Sequence, residues 1–220
     1  MSISTNLNNI KSQLPEHVTL VAVSKTKPVS DLMEAYTAGQ RIFGENKIQE
    51  MVEKHEQMPK DVEWHMIGHV QRNKVKYMAS FVALIHGVDN LKLLKEINKQ
   101  AQKHNRIINC LLQIKIASED SKFGMTAQAA QDIFNSDEFT GLKNIKVVGV
   151  MGMATFTDNE TQLKKEFKSL KTAFDTFNTQ NSGLRIISMG MSGDYKLAIE
   201  CGSNMIRVGS SIFGARNYSN

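Results

Sequence analysis

Short apolar runs, most of them rich in β-branched residues, alternate with longer amphipathic segments along this 220-residue chain. The alternation predicts repeated βα units and a parallel sheet, because consecutive parallel strands need a helical crossover. Eight strand candidates, each followed by a helix or a helical turn, match a compact (β/α)8 TIM-type barrel. The predicted strands are residues 18–24, 41–44, 62–68, 81–86, 107–116, 146–151, 184–189 and 204–208.

An open doubly wound sheet is the alternative architecture, and strand counting alone does not separate it from a closed barrel. A dinucleotide-binding Rossmann unit is disfavoured, because the first strand leads into residues 24–28, SKTKP, and not into a GxGxxG turn. No change in composition marks a linker. We therefore expect one domain over residues 1–220.

Two predicted helices have a clear periodicity. In residues 161–177, large apolar side chains recur at steps of three and four and form one stripe, which indicates core packing. The stripe comprises Leu163, Phe167, Leu170, Phe174 and Phe177. In residues 89–103, Asp89 is the predicted N-cap. The apolar face of that helix comprises Leu91, Leu94, Ile97 and Ala101.

Composition and charge exclude several classes of protein. Hydrophobic residues make up 41% of the chain and charged residues 22%, as in ordinary globular domains. The net charge of +5 comes from scattered residues, so no nucleic-acid partner is predicted. Cys110 and Cys201 have no metal-ligand or disulfide spacing, which favours a reducing cytoplasm. Neither a signal peptide nor an apolar run of about 20 residues is present, so we expect no membrane association.

Lys25 closes the apolar run of residues 18–25 and is followed at once by a loop. On position alone, a lysine that extends its amine to solvent is the favoured interpretation. An amine held beside apolar packing has a lowered pKa and can attack carbonyl carbons. The loops that follow the seventh and eighth strands give a reason to prefer this second role.

In barrels of this kind, phosphates commonly bind in the loops after strands 7 and 8. The seventh predicted strand enters a Gly/Ser-rich turn, in which Ser192 supplies a hydroxyl before a helix begins. After the eighth strand, Gly209 lets an anion approach the backbone and Ser210 offers an N–H and a hydroxyl. A single such cluster is most often a turn or a cap. Two of them in adjacent loops, beside Lys25, predict one anion site.

Five segments resemble a known family. They are AVSKTK (22–27), FGEN (43–46), WHMIGH (64–69), SMGMS (188–192) and RVGSSIFGAR (207–216). They look like the pyridoxal-phosphate-binding homeostasis proteins, which share the fold of the N-terminal barrel domain of alanine racemase. The resemblance runs from about Val18 to Arg216. One departure is MGMAT at 151–155, where many relatives continue with a proline.

The resemblance implies that Lys25 holds pyridoxal 5′-phosphate as a Schiff base. It also implies that Ser192, Gly209 and Ser210 bind the phosphate, that Arg207 faces the pyridine nitrogen, and that Asn46 lies near the ring. The cofactor needs an amine, an anion cradle and a partner for its ring nitrogen, and these residues supply all three. A fixed cation at that nitrogen opposes its protonation and weakens the ring as an electron sink.

Three functions follow from these residues. The first and favoured one is a monomeric cytoplasmic carrier for pyridoxal phosphate homeostasis, which delivers the cofactor through transient contacts with dependent enzymes and has no robust catalysis. The second is a weak amino-acid racemase, which needs another acid/base group on the opposite face; the chain stops at Asn220, without a racemase-like second domain. The third is a class I aldolase-like barrel, against which the first-strand lysine and Arg207 argue.

Other polar residues receive no catalytic role. Trp64, His65 and His69 surround the end of the third strand, where histidines are more often satisfied by hydrogen bonds. Glu45 and Asp194 are candidate acid/base groups, although carboxylates at helix starts more usually act as caps. No spacing predicts a metal site.

Overall fold

The computed structural model describes residues 2–119, 123–180 and 183–215, with the side chain of residue 180 excepted. Eight parallel strands, β1 to β8 in chain order, form a closed barrel. The first strand pairs with both the second and the eighth, which completes the closure. The barrel predicted from the alternation is therefore confirmed, and the open sheet is excluded.

All eight predicted strands are present, and their ends differ from the predictions by a few residues. The strands are β1 Thr19–Val23, β2 Ile42–Glu45, β3 Glu63–Met66, β4 Leu84–Val88, β5 Ile108–Gln113, β6 Ile145–Met151, β7 Ile186–Ser188 and β8 Met205–Val208. The α-helices are α1 Ile3–Lys11, α2 Val29–Thr37, α3 Ile48–Gln57, α4 Leu91–Lys103, α5 Ala127–Phe134, α6 Asp137–Thr140, α7 Glu160–Gln180, α8 Tyr195–Glu200 and α9 Ser210–Phe213. A 3₁₀ helix spans Arg72–Tyr77.

The strands read as continuous apolar runs because both of their faces are buried. The outer face packs against the helices in one large cluster, which includes Phe43, Trp64 and Phe167. A smaller cluster joins residues of β1, β4, β5, β6 and β8, among them Val21 and Leu84. Because strands that are not neighbours meet only across the barrel, this smaller cluster fills part of the interior.

The helix predictions hold with one correction. The predicted apolar stripe of α7 is buried along its whole length. The N-cap of α4 is Asn90, not Asp89: the Asn90 side chain accepts the Leu93 N–H at 2.9 Å. Asp89 is occupied elsewhere, because its carboxylate accepts the Asn90 amide and lies 3.4 Å from His69 Nδ1.

Two predictions from composition can be compared with the structure. Cys110 and Cys201 are both free thiols, as their spacing predicted. Within the described ranges, no helix is long and apolar enough to cross a bilayer.

Because all eight strands are parallel, their carboxyl ends share one rim, and the loops that carry the predicted site residues meet there.

Candidate functional site

A cavity of about 710 Å³ lies at the rim formed by the carboxyl ends of the strands. Its walls come from the ends of β1 and β8 and from the loops after β1, β2, β3, β6, β7 and β8. All of the site residues predicted from the sequence line it, namely Lys25, Asn46, Ser192, Arg207, Gly209 and Ser210. The structure thus brings together residues that lie up to 185 positions apart, the separation of Lys25 and Ser210 (210 − 25).

Lys25 stands in a tight turn at the end of β1. The Ser24 N–H donates to the Gly44 carbonyl at 3.1 Å and extends the ladder between β1 and β2 by one bond. The Lys27 N–H donates back to the Ser24 carbonyl at 3.1 Å, which places Lys25 and Thr26 at the centre of the turn. Lys25 is half-buried there and lines the cavity.

The loops after β7 and β8 are bonded to each other. The Gly209 N–H donates to the Ser192 hydroxyl oxygen at 3.2 Å. A Cβ at Gly209 would lie 3.1 Å from the Val23 carbonyl oxygen, so glycine allows the β8 loop to lie against the end of β1. Asp194 folds the β7 loop by accepting the Met191 N–H. Burial raises the pKa of Asp194, and the Met191 N–H and Arg207 oppose that rise.

Arg207, the third residue of β8, is almost fully buried beneath the cavity. Its Nη1 donates to the Ser188 hydroxyl at 2.6 Å and its Nη2 to the Gly152 carbonyl at 3.0 Å. Burial lowers the pKa of Arg207 to about 10, with Asp194 opposing the change. The guanidinium therefore remains a fixed cation at neutral pH.

A chain of buried polar side chains continues from Arg207 through the barrel. Ser188 Oγ lies 3.1 Å from His86 Nδ1, and His86 Nε2 lies 3.1 Å from His65 Nδ1. Burial lowers the pKa of His65 to about 3 and moves that of His86 in the same direction, so both rings are neutral at pH 7. Since arginine only donates, Ser188 accepts from Arg207 and has its own proton available for His86.

The neutral histidines predict a loss of stability in acid. The pKa of His65 is lower in the folded chain than in the unfolded chain, so below pH 6.5 the unfolded state binds the proton first. Between pH 7 and pH 5 the wild type should lose about 2 kcal/mol more unfolding free energy than His65→Gln. Urea unfolding at both pH values measures this.

Comparing the wild type with His65→Gln isolates the contribution of His65 to the change of stability with pH. Burial raises the pKa values of Glu45 and Asp194, which pushes the stability in the opposite direction on acidification. Both carboxyls are present in wild type and variant, so their contributions cancel in the difference. Equal losses of stability in the two proteins would contradict the assignment of a neutral buried His65.

The other candidate residues named from the sequence either lie away from the cavity or hold one of its loops in place. Glu45 is not a helix cap: it ends β2 and its Oε1 accepts from Ser24 Oγ at 2.6 Å and Lys54 Nζ at 2.8 Å. Asp194 precedes α8, but its side chain bonds Met191 and makes no cap bond. Trp64 is core and packs near Phe43. His69 is partly exposed and stacks on Phe123 with ring centroids 4.7 Å apart.

The loop after β6, at the MGMAT departure, does contribute to the cavity. Met153 and Thr155 line it. Glu166 of α7 holds this loop: its Oε2 accepts the Thr155 N–H and its Oε1 the Thr155 hydroxyl, both at 2.7 Å. Glu166, Ser188 and His86 were missed in the sequence. Ser188 and His86 could have been found in the sequence, because each is a polar residue inside an apolar run. Glu166 gives no such signal, because it lies in a polar stretch of its helix.

Comparison with known proteins places this barrel in a class. Residues 1–217 match the family described as alanine racemase, N-terminal domain. The chain is 39% identical over 234 aligned positions to the pyridoxal phosphate homeostasis protein of Vibrio alginolyticus, with 99% of each chain covered. It is 37% identical to that of Aquifex aeolicus (strain VF5), with 90% of this chain and 87% of that protein covered. The chain therefore belongs to the alanine racemase N-terminal domain family, among the pyridoxal phosphate homeostasis proteins, as its motifs predicted.

Solved structures agree with this assignment. PipY of Synechococcus elongatus PCC7942, solved with pyridoxal phosphate bound, superposes with a TM-score of 0.89 at 32% identity, over 97% of this chain and 100% of that one. Alanine racemase of Clostridium difficile 630 superposes with a TM-score of 0.82 at 17% identity, over 99% of this chain and 58% of the racemase. The second comparison establishes the shared barrel fold alone.

One residue of the matching segments cannot be placed in the site. Arg216, at the end of the fifth segment, lies outside the described residues.

Proposed function

We propose that this protein binds pyridoxal 5′-phosphate through a Schiff base on Lys25 and acts as a carrier in pyridoxal phosphate homeostasis. We further propose that residues 1–220 act as one domain, as a monomer in the cytoplasm. The observation that carries the proposal is that a half-buried lysine, a buried arginine and two bonded Gly/Ser loops converge on one cavity. The names of the relatives and the cofactor in the PipY structure support the same choice of ligand.

The residues of the cavity fit this cofactor. A volume of about 710 Å³ lies within the usual range for small-molecule sites. The loops after β7 and β8 offer the Ser192 and Ser210 hydroxyls to a phosphate, and Lys25 offers its amine to an aldehyde. Glycine at position 209 keeps the cradle free of a Cβ beside Val23. When bound, pyridoxal phosphate supplies an aldehyde that condenses reversibly with amines and a ring that withdraws electrons.

Arg207 favours storage of the cofactor over its use in catalysis. Two of its nitrogens are held by Ser188 and Gly152, so the guanidinium keeps one orientation against the cavity floor. A cation fixed beside the pyridine nitrogen disfavours a proton there. We assign Asn46, which also lines the cavity, to the neighbourhood of the ring.

A weak racemase remains the second candidate because the cavity has other ionisable groups besides Lys25. These are Lys27, Asp158, Asp194 and Arg207. Lys27 Nζ donates to the Phe213 carbonyl at 2.8 Å and Asp194 accepts the Met191 N–H, so each is engaged by the backbone.

Proton exchange distinguishes the two candidate functions. A carrier should leave the α-proton of alanine unexchanged in deuterated solvent, whereas a racemase should exchange it.

The test of the carrier proposal begins with the purified protein and added pyridoxal phosphate. We expect an absorbance band in the near-visible region, and after borohydride reduction a cofactor adduct that peptide mapping places on Lys25. Delivery is tested by giving the loaded protein to a cofactor-free dependent enzyme in the presence of a soluble aldehyde scavenger. Reactivation that survives the scavenger supports transfer by contact. Absence of any adduct, or an adduct on another lysine, would overturn the proposal.

A further inference from the structure

The two peptide groups that flank Lys25 are both held by side chains of α3. The Ser24 carbonyl accepts from Lys54 Nζ at 2.8 Å, and the Thr26 N–H donates to Glu50 Oε1 at 2.5 Å. Glu50 and Lys54 are four residues apart on one face of the helix and pair with each other at 2.7 Å. One ion pair therefore anchors the backbone on both sides of Lys25.

The turn needs such an anchor. Thr26 has a φ of +64°, in the left-handed region that a β-branched residue rarely adopts. This is the third position of the turn closed by the Lys27 N–H and the Ser24 carbonyl, where glycine is usual when φ is positive. The Thr26 residue is exposed, so core packing does not hold it. The hydrogen bond from the Thr26 N–H to Glu50 opposes relaxation of the turn.

Lys54 is itself fixed by a residue of β2. It is only 5% exposed, and its Nζ also contacts the buried carboxylate of Glu45 at 2.8 Å. That carboxylate accepts the Ser24 hydroxyl at 2.6 Å, so Ser24 is tied through both its side chain and its carbonyl. Buried charge-assisted bonds of this kind keep one geometry, because loss of a partner leaves a charge unsatisfied.

We propose that Glu50 and Lys54 are the positioning residues of Lys25. By holding the peptide groups before and after Lys25, they set the direction of its Cα–Cβ bond and aim the amine into the cavity. Neither residue lines the cavity, so their effect should fall on the reaction of Lys25 and not on the fit of the ligand. This inference rests on the proposed function, in which Lys25 reacts with the aldehyde of the cofactor.

The test separates covalent capture from simple binding. Capture is the rate at which pyridoxal phosphate becomes trapped on Lys25 by borohydride; binding is the affinity for pyridoxamine 5′-phosphate, which has no aldehyde. In Glu50→Ala we expect capture to slow about tenfold or more, with the affinity for pyridoxamine 5′-phosphate unchanged. Glu50→Gln keeps an oxygen acceptor for the Thr26 N–H and should restore much of the rate.

The matched control is Asp175→Ala. Asp175 forms an exposed pair of the same spacing with Lys171 on α7, at 2.6 Å, and neither residue lines the cavity. Its removal should change neither capture nor binding. Capture at the wild-type rate in Glu50→Ala would overturn the proposal, and so would a parallel loss of pyridoxamine 5′-phosphate binding, which would indicate a general disturbance of the cavity.

A second measurement needs no cofactor and so distinguishes failure of this inference from failure of the proposed function. Hydrogen exchange of the Thr26 amide should be slow in the wild type and about tenfold faster or more in Glu50→Ala. If wild-type protein forms no adduct on Lys25, the proposed function fails. The exchange rate of the Thr26 amide still tests whether Glu50 anchors the turn. An unprotected Thr26 amide in the wild type would overturn the anchoring role, even if Glu50→Ala does not fold.

Discussion

Lys25→Ala is expected to abolish covalent attachment of pyridoxal phosphate while the barrel stays folded. The amine of Lys25 is the proposed partner of the aldehyde, and alanine has no group that can replace it. Lys25 is half-buried at the cavity and is not part of the buried core, so its truncation should leave the packing intact. Absorbance after addition of the cofactor, followed by reduction and intact mass, measures the loss.

Lys27→Ala is the matched control for that experiment. Lys27 lines the same cavity two residues away, but its amine donates to the carbonyls of Phe213 and Ala215 at 2.8 and 3.2 Å. The adduct should therefore still form on Lys25 in this variant. An adduct that persists in Lys25→Ala, on Lys27 or any other lysine, would contradict the assignment of Lys25.

The double variant Ser192→Ala/Ser210→Ala should bind the cofactor far more weakly. A hydrogen bond to a charged group contributes about 1.5–3 kcal/mol, so two lost bonds to the phosphate correspond to about 3–6 kcal/mol, or roughly 10²- to 10⁴-fold in affinity. The Ser192 hydroxyl also accepts the Gly209 N–H, so its loss loosens the junction between the two loops. Calorimetric titration with pyridoxamine 5′-phosphate measures the change without covalent chemistry.

Pyridoxal without a phosphate supplies the control for the double variant. Its ring and aldehyde are those of the cofactor, but it has no anion for the two serines to bind. The wild type and the double variant should therefore bind pyridoxal alike. Unchanged affinity for pyridoxamine 5′-phosphate in the double variant would move the phosphate away from the β7 and β8 loops.

Much of the fold was predictable because burial of both strand faces leaves a strong pattern in the sequence. All eight strands and the apolar stripe of α7 were predicted from apolar runs and helical periodicity. The predicted N-cap of α4 was wrong by one residue. Asp89 and Asn90 are both good caps, but Asn90 caps the helix while Asp89 contacts His69 and the Asn90 amide. Local preference does not decide between such neighbours.

The sequence predicted residues that the structure places around one cavity, but it did not predict the contacts that hold them there. The motif residues Lys25, Ser192 and Arg207 stand at strand ends, where the barrel brings them into one cavity. Contacts made over long sequence distances were not predictable. Glu166 bonds the loop at Thr155, and His86 joins Ser188 to His65. Such polar residues have no periodicity, because each is placed by specific partners.

The sequence by itself determined the order of the strands and helices, the family, and the residues that belong at the carboxyl ends of the strands. These depend on local pattern: apolar periodicity, turn residues and short motifs that any parallel barrel would direct to one rim. Only the tertiary structure decided that the sheet closes and that Arg207 is held by Ser188 and Gly152. It alone revealed that Glu50 and Lys54 hold the turn around Lys25. The physical reason is that hydrogen bonds and ion pairs between distant segments depend on distances of a few ångströms, which exist only once the barrel has closed.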